Sequence, residues 1–572
     1  MFSSDKWFGA SADFYNGVAT QSLRMDYASG VYLNFTPTST GDRKTWTWSG
    51  WIKRTEITRN NQYIYSAHSG SNYFAFYFKQ GQLASYYGTG SNYGVISDRE
   101  FRDTTNWFHI VHQVDAVNTN QRVWVNGDEI TTNSSRNPGN SNYPMNQSSV
   151  PMVIGKHSWG SSYFNDMYLA EVNFTDGQKY EASDFGETKN GVWIAKEPSV
   201  TYGTNGYRLQ FKQTGDGQTT ASSTTIGADT SGNNNHYKDY NLDSYDSNMP
   251  DSPENNFATF NVLTGHTATT MSEGNLRGKG ANSGNILESQ SSTIGVTSGK
   301  WYAEFRADDL VNDTQNNGTQ IGVTTVPYIR GSGNQNGYIV GNTRVNLDQS
   351  SGAYLGVDQN ISTTIGSYAD GDIIGVALNV DDSEVSFYKN GSAITNATDA
   401  SINPQNDLHF FEIQLRKYDG DTSQVTANFG QDSTFSGAVS AGGNTDSRGR
   451  GDFKYSVPSG YLALCTANLP DLTISPNQQT QADDHFNTIT YTGDDASSRS
   501  LTGVGFQPDW IWYKHRSISY GHAMYDSSRG TGENHLRPDN TIAEGDYNDL
   551  YGTLTSFDAD GITIARGDAS GT

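Results

Sequence analysis

Asp98 and Glu100 stand two residues apart, the spacing that turns two carboxylates onto one face of an extended strand. Cleaving a glycosidic bond needs such a pair, one carboxyl to protonate the leaving oxygen and one to attack or to activate water, roughly 5–10 Å apart. The neighbours argue against that use: SDREFRD also carries Arg99 and Arg102 and lacks an apolar strand to seat the pair in a cleft. Asp370, Asp372, Asp381, Asp382 and Glu384 fall at the ends of apolar runs, where acids serve turns. Glu171, inside the strand-like YLAEVNF, has no acidic partner two or four residues away. No G-x-S-x-G elbow occurs in a triad context, and no H-E-x-x-H pair exists. His109 and His112 sit on opposite faces of one strand and cannot share a metal ion, so both are read as packed histidines. No catalytic residue is assigned, and the chain is not expected to be an enzyme.

Sugar recognition makes a different demand: aromatic faces beside amide and carboxyl groups, for stacking on C–H surfaces and hydrogen bonding to hydroxyls. The loop from Ser158 to Asp166 has that make-up in Trp159, Tyr163, Asn165 and Asp166, and SYYGTGSNYG supplies Tyr86, Tyr87 and Tyr93. The competing reading, weighted at least equally, is that these aromatics pack into subunit interfaces. Calcium would need six to eight oxygens. Asp558-Ala-Asp560-Gly561 begins like a calcium loop but lacks the later ligands, and DTSGNNN at 229–235 is equally well explained by side chains closing turns.

The elements that must position these residues are strands. Phe108, Ile110, His112 and Val114 alternate with Trp107, His109, Val111 and Gln113, a period of two. A polar reversal, an aromatic strand and Asn126-Gly127 follow; residues 372–394 repeat the device and end on Asn390-Gly391. The chain has 572 residues, 61 Gly against 14 Pro and 12% aromatics, and is too long for one core. The expected fold class is all-β, tandem antiparallel β-sandwich (jelly-roll) modules joined by polar linkers. A net charge of -24 repels nucleic acid. No apolar run reaches the roughly 20 residues of a membrane span, so no membrane insertion is expected. The lone Cys465 excludes an internal disulfide, and its apolar neighbours make it a small buried hydrophobe.

The succession SGWIKR (49–54), WFHIVHQVD (107–115), VWVNGDEI (123–130), IGKH (154–157) and FNDMYLAEVNFTDG (164–177) resembles the concanavalin-A-like, laminin-G-like jelly roll. Asp166 stands where that last motif commonly has glycine. The resemblance implies a lectin-like domain over 21–212, preceded by an arm at 1–20 that could anchor the chain to a larger assembly. It also makes calcium a candidate ion near residues 158–168, with no ligand set named. Residues 213–274 read as a polar linker. GKWYAEFRADD (299–309), GDIIGVALNVDDSEVSFYKNG (371–391) and LHFFEIQL (408–415) resemble the SPRY domain, a binding module, over 275–432. A connector at 433–480 and a third, incomplete β module at 481–572 follow. This order resembles bacteriophage tail-fibre and appendage proteins. It implies a virion protein assembled in the host cytoplasm and exposed on the particle exterior, homotrimeric, contacting other virion proteins and attaching to host surface glycans. A head fibre, decoration or adaptor protein with purely structural contacts is the alternative, and a polysaccharide depolymerase a weaker one.

Overall fold

The computed structural model describes residues 14–567 other than 89–92, 133–137, 161–163, 266–268, 282–287, 311–318, 325–343, 349–367, 395–399, 402–407, 416, 419–420, 471–481, 518, 520 and 545–551. The chain divides into two compact units, Ser3–Pro470 and Asp471–Thr572. Strands dominate both, nearly all in antiparallel pairs, and the fold class is that of tandem β-sandwiches.

The first sandwich of the larger unit has two seven-stranded sheets among the described residues. One orders Leu23–Met25, Met167–Asp176, Thr45–Arg54, Phe108–Asp115, Asn120–Val125 and Asp128–Glu129, with Tyr207–Leu209 also paired to Met167–Asp176. The other runs Lys238–Tyr240, Tyr32–Phe35, Met152–Ile154, Asn61–Ser69, Asn72–Lys79, Gln82–Gly88 and Tyr93–Glu100. Alternation decides what lies between them. Trp46, Trp48 and Ile52 point inward to meet Phe74, Phe76 and Phe78, each such side chain contributing about 1.5–3 kcal/mol by leaving water. Trp51 points outward and packs on Val18, Ala19, Ala170 and Ala195. The described part of the N-terminal segment therefore lies against the sandwich: Asn16 donates to the Ala195 carbonyl at 2.9 Å. Residues 1–13 lie outside the described residues.

In the second sandwich, Lys300–Asp309 pairs with Ile373–Asn379 and Gln424–Asn428, and a smaller sheet orders Glu288–Ser291, Phe410–Leu415, Gln320–Thr324 and Arg344–Asp348. Trp301, Phe305, Val376, Phe387, Phe411 and Phe429 fill the core.

Residues 213–274 differ from the expected polar linker. Lys238–Tyr240 adds an edge strand to the first sandwich, and Ile226, Tyr237 and Leu242 enter its core. Further on, Ala258 and Phe260 enter the core of the second. The polar residues of this strap are buried because partners distant in sequence neutralise them. Lys53 Nζ donates to Asp251 Oδ2 at 2.9 Å with both side chains fully buried, and also to the Phe257 carbonyl at 3.1 Å. Arg24 Nε donates to Asp246 Oδ1 at 3.1 Å, and Arg24 Nη1 to Asp432 Oδ2 at 3.3 Å. The described part of the expected connector is packed as well: Phe435, Phe453, Leu464 and Cys465 are buried, and Leu462–Ala463 pairs in parallel with Trp301 and Tyr302. Burial pushes the Cys465 thiol up to about 12, leaving it inert.

In the smaller unit, Arg499–Thr502, Gly561–Ala565 and Thr553–Asp558 form one sheet, and Trp510–Lys514 pairs with His522–Asp526. Leu501, Tyr525, Leu554 and Ile562 make its small core.

Candidate functional site

The outward side of the sheet built from Asn61–Ser69, Asn72–Lys79 and Gln82–Gly88 carries a second set of aromatic residues. In NYFAFYFK the phenylalanines 74, 76 and 78 point in, so Tyr73, Ala75 and Tyr77 point out. Cross-strand register places Ala75 opposite Tyr86, with Tyr73 and Tyr86 diagonal neighbours. The Tyr73 and Tyr86 rings stack with centroids 4.7 Å apart, and the Tyr73 hydroxyl donates to that of Tyr86 at 3.0 Å. Trp159 reaches over from the loop after Met152–Ile154 and stacks on Tyr73 at 4.8 Å and on Tyr86 at 6.4 Å. Tyr63, His68 and His157 border the indole at 6.2, 5.7 and 3.5 Å. Beneath the rings lie Ala75 and Ala84, fully buried on an outward-facing surface. Tyr73, Tyr86 and Trp159 remain partly exposed. Burial, with His68 and Lys156 adding to it, holds His157 down at about 4, so the platform's imidazole is neutral at pH 7.

Of the residues singled out from sequence, Trp159 and Tyr86 are thus brought together. Tyr87 is not part of the surface: strand alternation turns it into the core, edge-on to Tyr143 at 5.6 Å. Asn165 is also buried, because its amide caps the Tyr63 carbonyl at a bulge in Asn61–Ser69. Asp166 faces the other side of the loop, accepting from Tyr27 N at 2.7 Å and Arg59 Nε at 3.2 Å; burial pushes it up to about 7. Tyr163 and the side chain of Tyr93 lie outside the described residues. Tyr73, His68 and His157 belong to the site without having been singled out, although the alternation of NYFAFYFK carries the signal for Tyr73.

Several groups of the kind used in hydrolysis have other partners in the fold. Ser49 Oγ lies 2.8 Å from His109 Nε2, a nucleophile–base spacing. Trp193 Nε1, however, donates to His109 Nδ1 at 3.1 Å, so Nε2 carries the proton and donates to Ser49, the wrong tautomer for a base. Burial also depresses His109 to about 3. His112 spans Tyr65 and Gln121 at 2.8 Å on each side within the core. Glu171, at a bulge with φ of 46°, pairs with Arg208. Asp372 accepts from Asn390 at 2.7 Å and Asp381 from Gly299 N at 2.7 Å, as turn-forming acids do. Glu100 pairs with Arg102 at the surface.

Among the described residues no three His, Cys, Asp or Glu side chains converge to hold a metal ion. Asp560 accepts from Gly503 N at 3.1 Å and Gly505 N at 2.6 Å, bridging segments distant in sequence, whereas Asp229 accepts from Ser231 N and Asn235 N at 2.8 Å each, closing its own turn.

Residues 28–178 match the family model of the concanavalin A-like lectin/glucanases superfamily, 300–409 that of the SPRY domain, and 481–572 a domain of unknown function, DUF7483. No curated protein sequence matches the chain significantly. Among solved structures, a native heptameric SAP-like pentraxin from Limulus polyphemus is similar at 18% identity, covering 27% of this chain and 75% of that one, with a TM-score of 0.21. The SPRY domain of human HERC1 is similar at 20% identity over 30% of this chain and 97% of that one, TM-score 0.23. Domains LG4-5 of mouse laminin alpha1 are similar at 10% identity over 72% and 85%, TM-score 0.24.

Proposed function

We propose that this chain is a bacteriophage virion protein, a tail fibre or related appendage, that attaches the particle to host surface glycans. It is assembled in the host cytoplasm and displayed on the particle exterior as a homotrimer in contact with other virion proteins. The observation that carries the glycan reading is the partly exposed Trp159–Tyr73–Tyr86 cluster on a lectin-like sandwich. Such rings stack on the C–H faces of sugars, and the two tyrosine hydroxyls offer hydrogen bonds. Each site is weak, and three copies on one appendage supply avidity. Binding rather than cleavage is supported by Glu171 and Asp381 being held in an ion pair and a turn, and by the buried Ser49–His109 pair, whose proton sits on the wrong nitrogen.

The test is glycan-array and host-cell binding by the purified full chain, against Trp159→Ala and Tyr73→Ala. Binding by the wild type, weakened at least tenfold in both variants, is the expected result. Wild-type binding that both variants retain would move the site elsewhere, and absence of binding to any glycan or host cell would end the attachment reading.

A structural role in the particle is favoured by one feature of the C-terminal unit. Trp510 and Trp512 are 48% and 55% exposed on one face of a two-stranded ribbon, an aromatic surface suited to contact with another virion protein. Imaging the intact particle with the chain labelled distinguishes appendage from head.

A further inference from the structure

A second aromatic run lies on the same outward side of the sheet, across the loop that carries Trp159. Leu33 and Asp239 point inward, so Tyr32 and Tyr240, register partners, point outward and stack at 4.4 Å with planes 1° apart. Lys156 Nζ sits over the Tyr32 ring at 4.3 Å and over Phe164 at 5.2 Å. Phe164 meets Tyr27 edge-on at 6.3 Å, and Arg59 lies 3.5 Å over Tyr27. Two cations thus alternate with four rings.

The two cations differ in their partners. Arg59 is paired with Asp166 at 3.2 Å and Glu56 at 4.0 Å. Lys156 makes no ion pair among the described residues, in a chain with 61 acids to 37 bases. A lysine placed among rings, with no carboxylate of its own, is complementary to an anionic ligand that also stacks. Strand spacing of about 4.8 Å across three strands, with a register offset of four residues at about 3.3 Å each, sets Tyr32 and Tyr73 roughly 20 Å from each other. A single sugar cannot cover that span, but a short run of a polymer can.

Resting on the glycan reading above, we infer that the outward side of this sheet binds an acidic polysaccharide, one segment stacking on Trp159–Tyr73–Tyr86 and a carboxylate of the next segment pairing with Lys156 beside Tyr32 and Phe164. The overall charge of -24 opposes such a polymer at long range, but at physiological salt that repulsion is screened beyond about 8 Å. The contact at Lys156 is local and survives.

The probe is polygalacturonate alongside its fully methyl-esterified form, which keeps the sugar and removes the charge. Both are titrated against the immobilised full chain, as wild type, Lys156→Gln, Tyr32→Ala and Trp159→Ala, with thermal melts to confirm folding. The expected result is binding of the acid form about tenfold tighter than the ester. Lys156→Gln should erase that difference while leaving ester binding unchanged, Tyr32→Ala should weaken the acid form, and Trp159→Ala should weaken both forms. Equal affinity of wild type for acid and ester, or undiminished acid binding by Lys156→Gln, overturns the inference and leaves the glycan reading standing. Failure to bind either form also overturns it, and failure across the whole glycan array removes the reading beneath it.

Discussion

The two Asn-Gly hairpins are near copies, yet the strands they close bury titratable groups of opposite kind. In the first, Asn126 N donates to the His109 carbonyl at 2.9 Å and Asn126 Oδ1 accepts from His109 N at 2.8 Å. In the second, Asn390 does the same with Ile373 at 2.8 and 2.9 Å. The first strand pair hides His109 and His112, both held neutral by burial at about 3. The second lies against Glu304, opposite Gly375 in register. Its carboxyl meets no cation among the described residues and accepts from Lys454 N and Tyr455 N at 2.8 Å each, yet burial pushes it up to about 7. One turn design thus serves strand pairs whose buried groups respond to pH in opposite senses. The histidines take up protons on unfolding below about 6.5, so their contribution to the first sandwich is lost as pH falls from there toward 3. Glu304 holds its proton when folded, so its contribution is fully present below about 4.5 and is lost as pH rises through 7.

The severest challenge to this contrast is His112→Ala. It removes a fully buried ring stacked 4.0 Å from Phe76 and leaves Tyr65 and Gln121 without their partner. A loss of about 3–5 kcal/mol is expected in urea unfolding; a change under 1 kcal/mol would mean that the histidine is not the core element described. Glu304→Gln sharpens the contrast by deleting the opposing titration. Its stability should fall more steeply than that of the wild type between pH 7 and 4.5, by about 2–3 kcal/mol over the interval, and superimposable pH curves would break the comparison. The smallest effects belong to the shared turn. Gly127 and Gly391 have φ of 89° and 80°, and an added Cβ would lie 2.5 Å from Trp193 and 2.6 Å from Tyr455, respectively. Alanine at either should cost about 1–2 kcal/mol, and a large inequality in melting temperature between the two variants would show that the hairpins are not equivalent.

Much of this was legible in the residues because strands write their two faces in alternate letters. The alternation in TWTWSGWIKR separates Trp48 in the core from Trp51 on the outer face, and both Asn-Gly turns fall where positive φ is needed. Pair parity also separates Tyr86 from Tyr87, but only once the register of Gln82–Gly88 against Asn72–Lys79 is known. The strap was misread for a different reason. Asp246 and Asp251 look solvated in a polar, proline-broken stretch, and what buries them is Arg24 and Lys53, some 200 residues earlier. Local composition carries no trace of such partners. Asn165 was misjudged similarly, since a bulge carbonyl at Tyr63 claims it.

The strand Lys238–Tyr240 has an implication for how such proteins could diversify. Exchanging residues 21–212 alone between two relatives would separate the Tyr32–Phe35 strand from its own partner on one edge, Lys238–Tyr240, and part Lys53 from the Asp251 it is buried with. A viable hybrid has to inherit strap and sandwich together, so the smallest tradable cassette is larger than either family outline drawn on the chain.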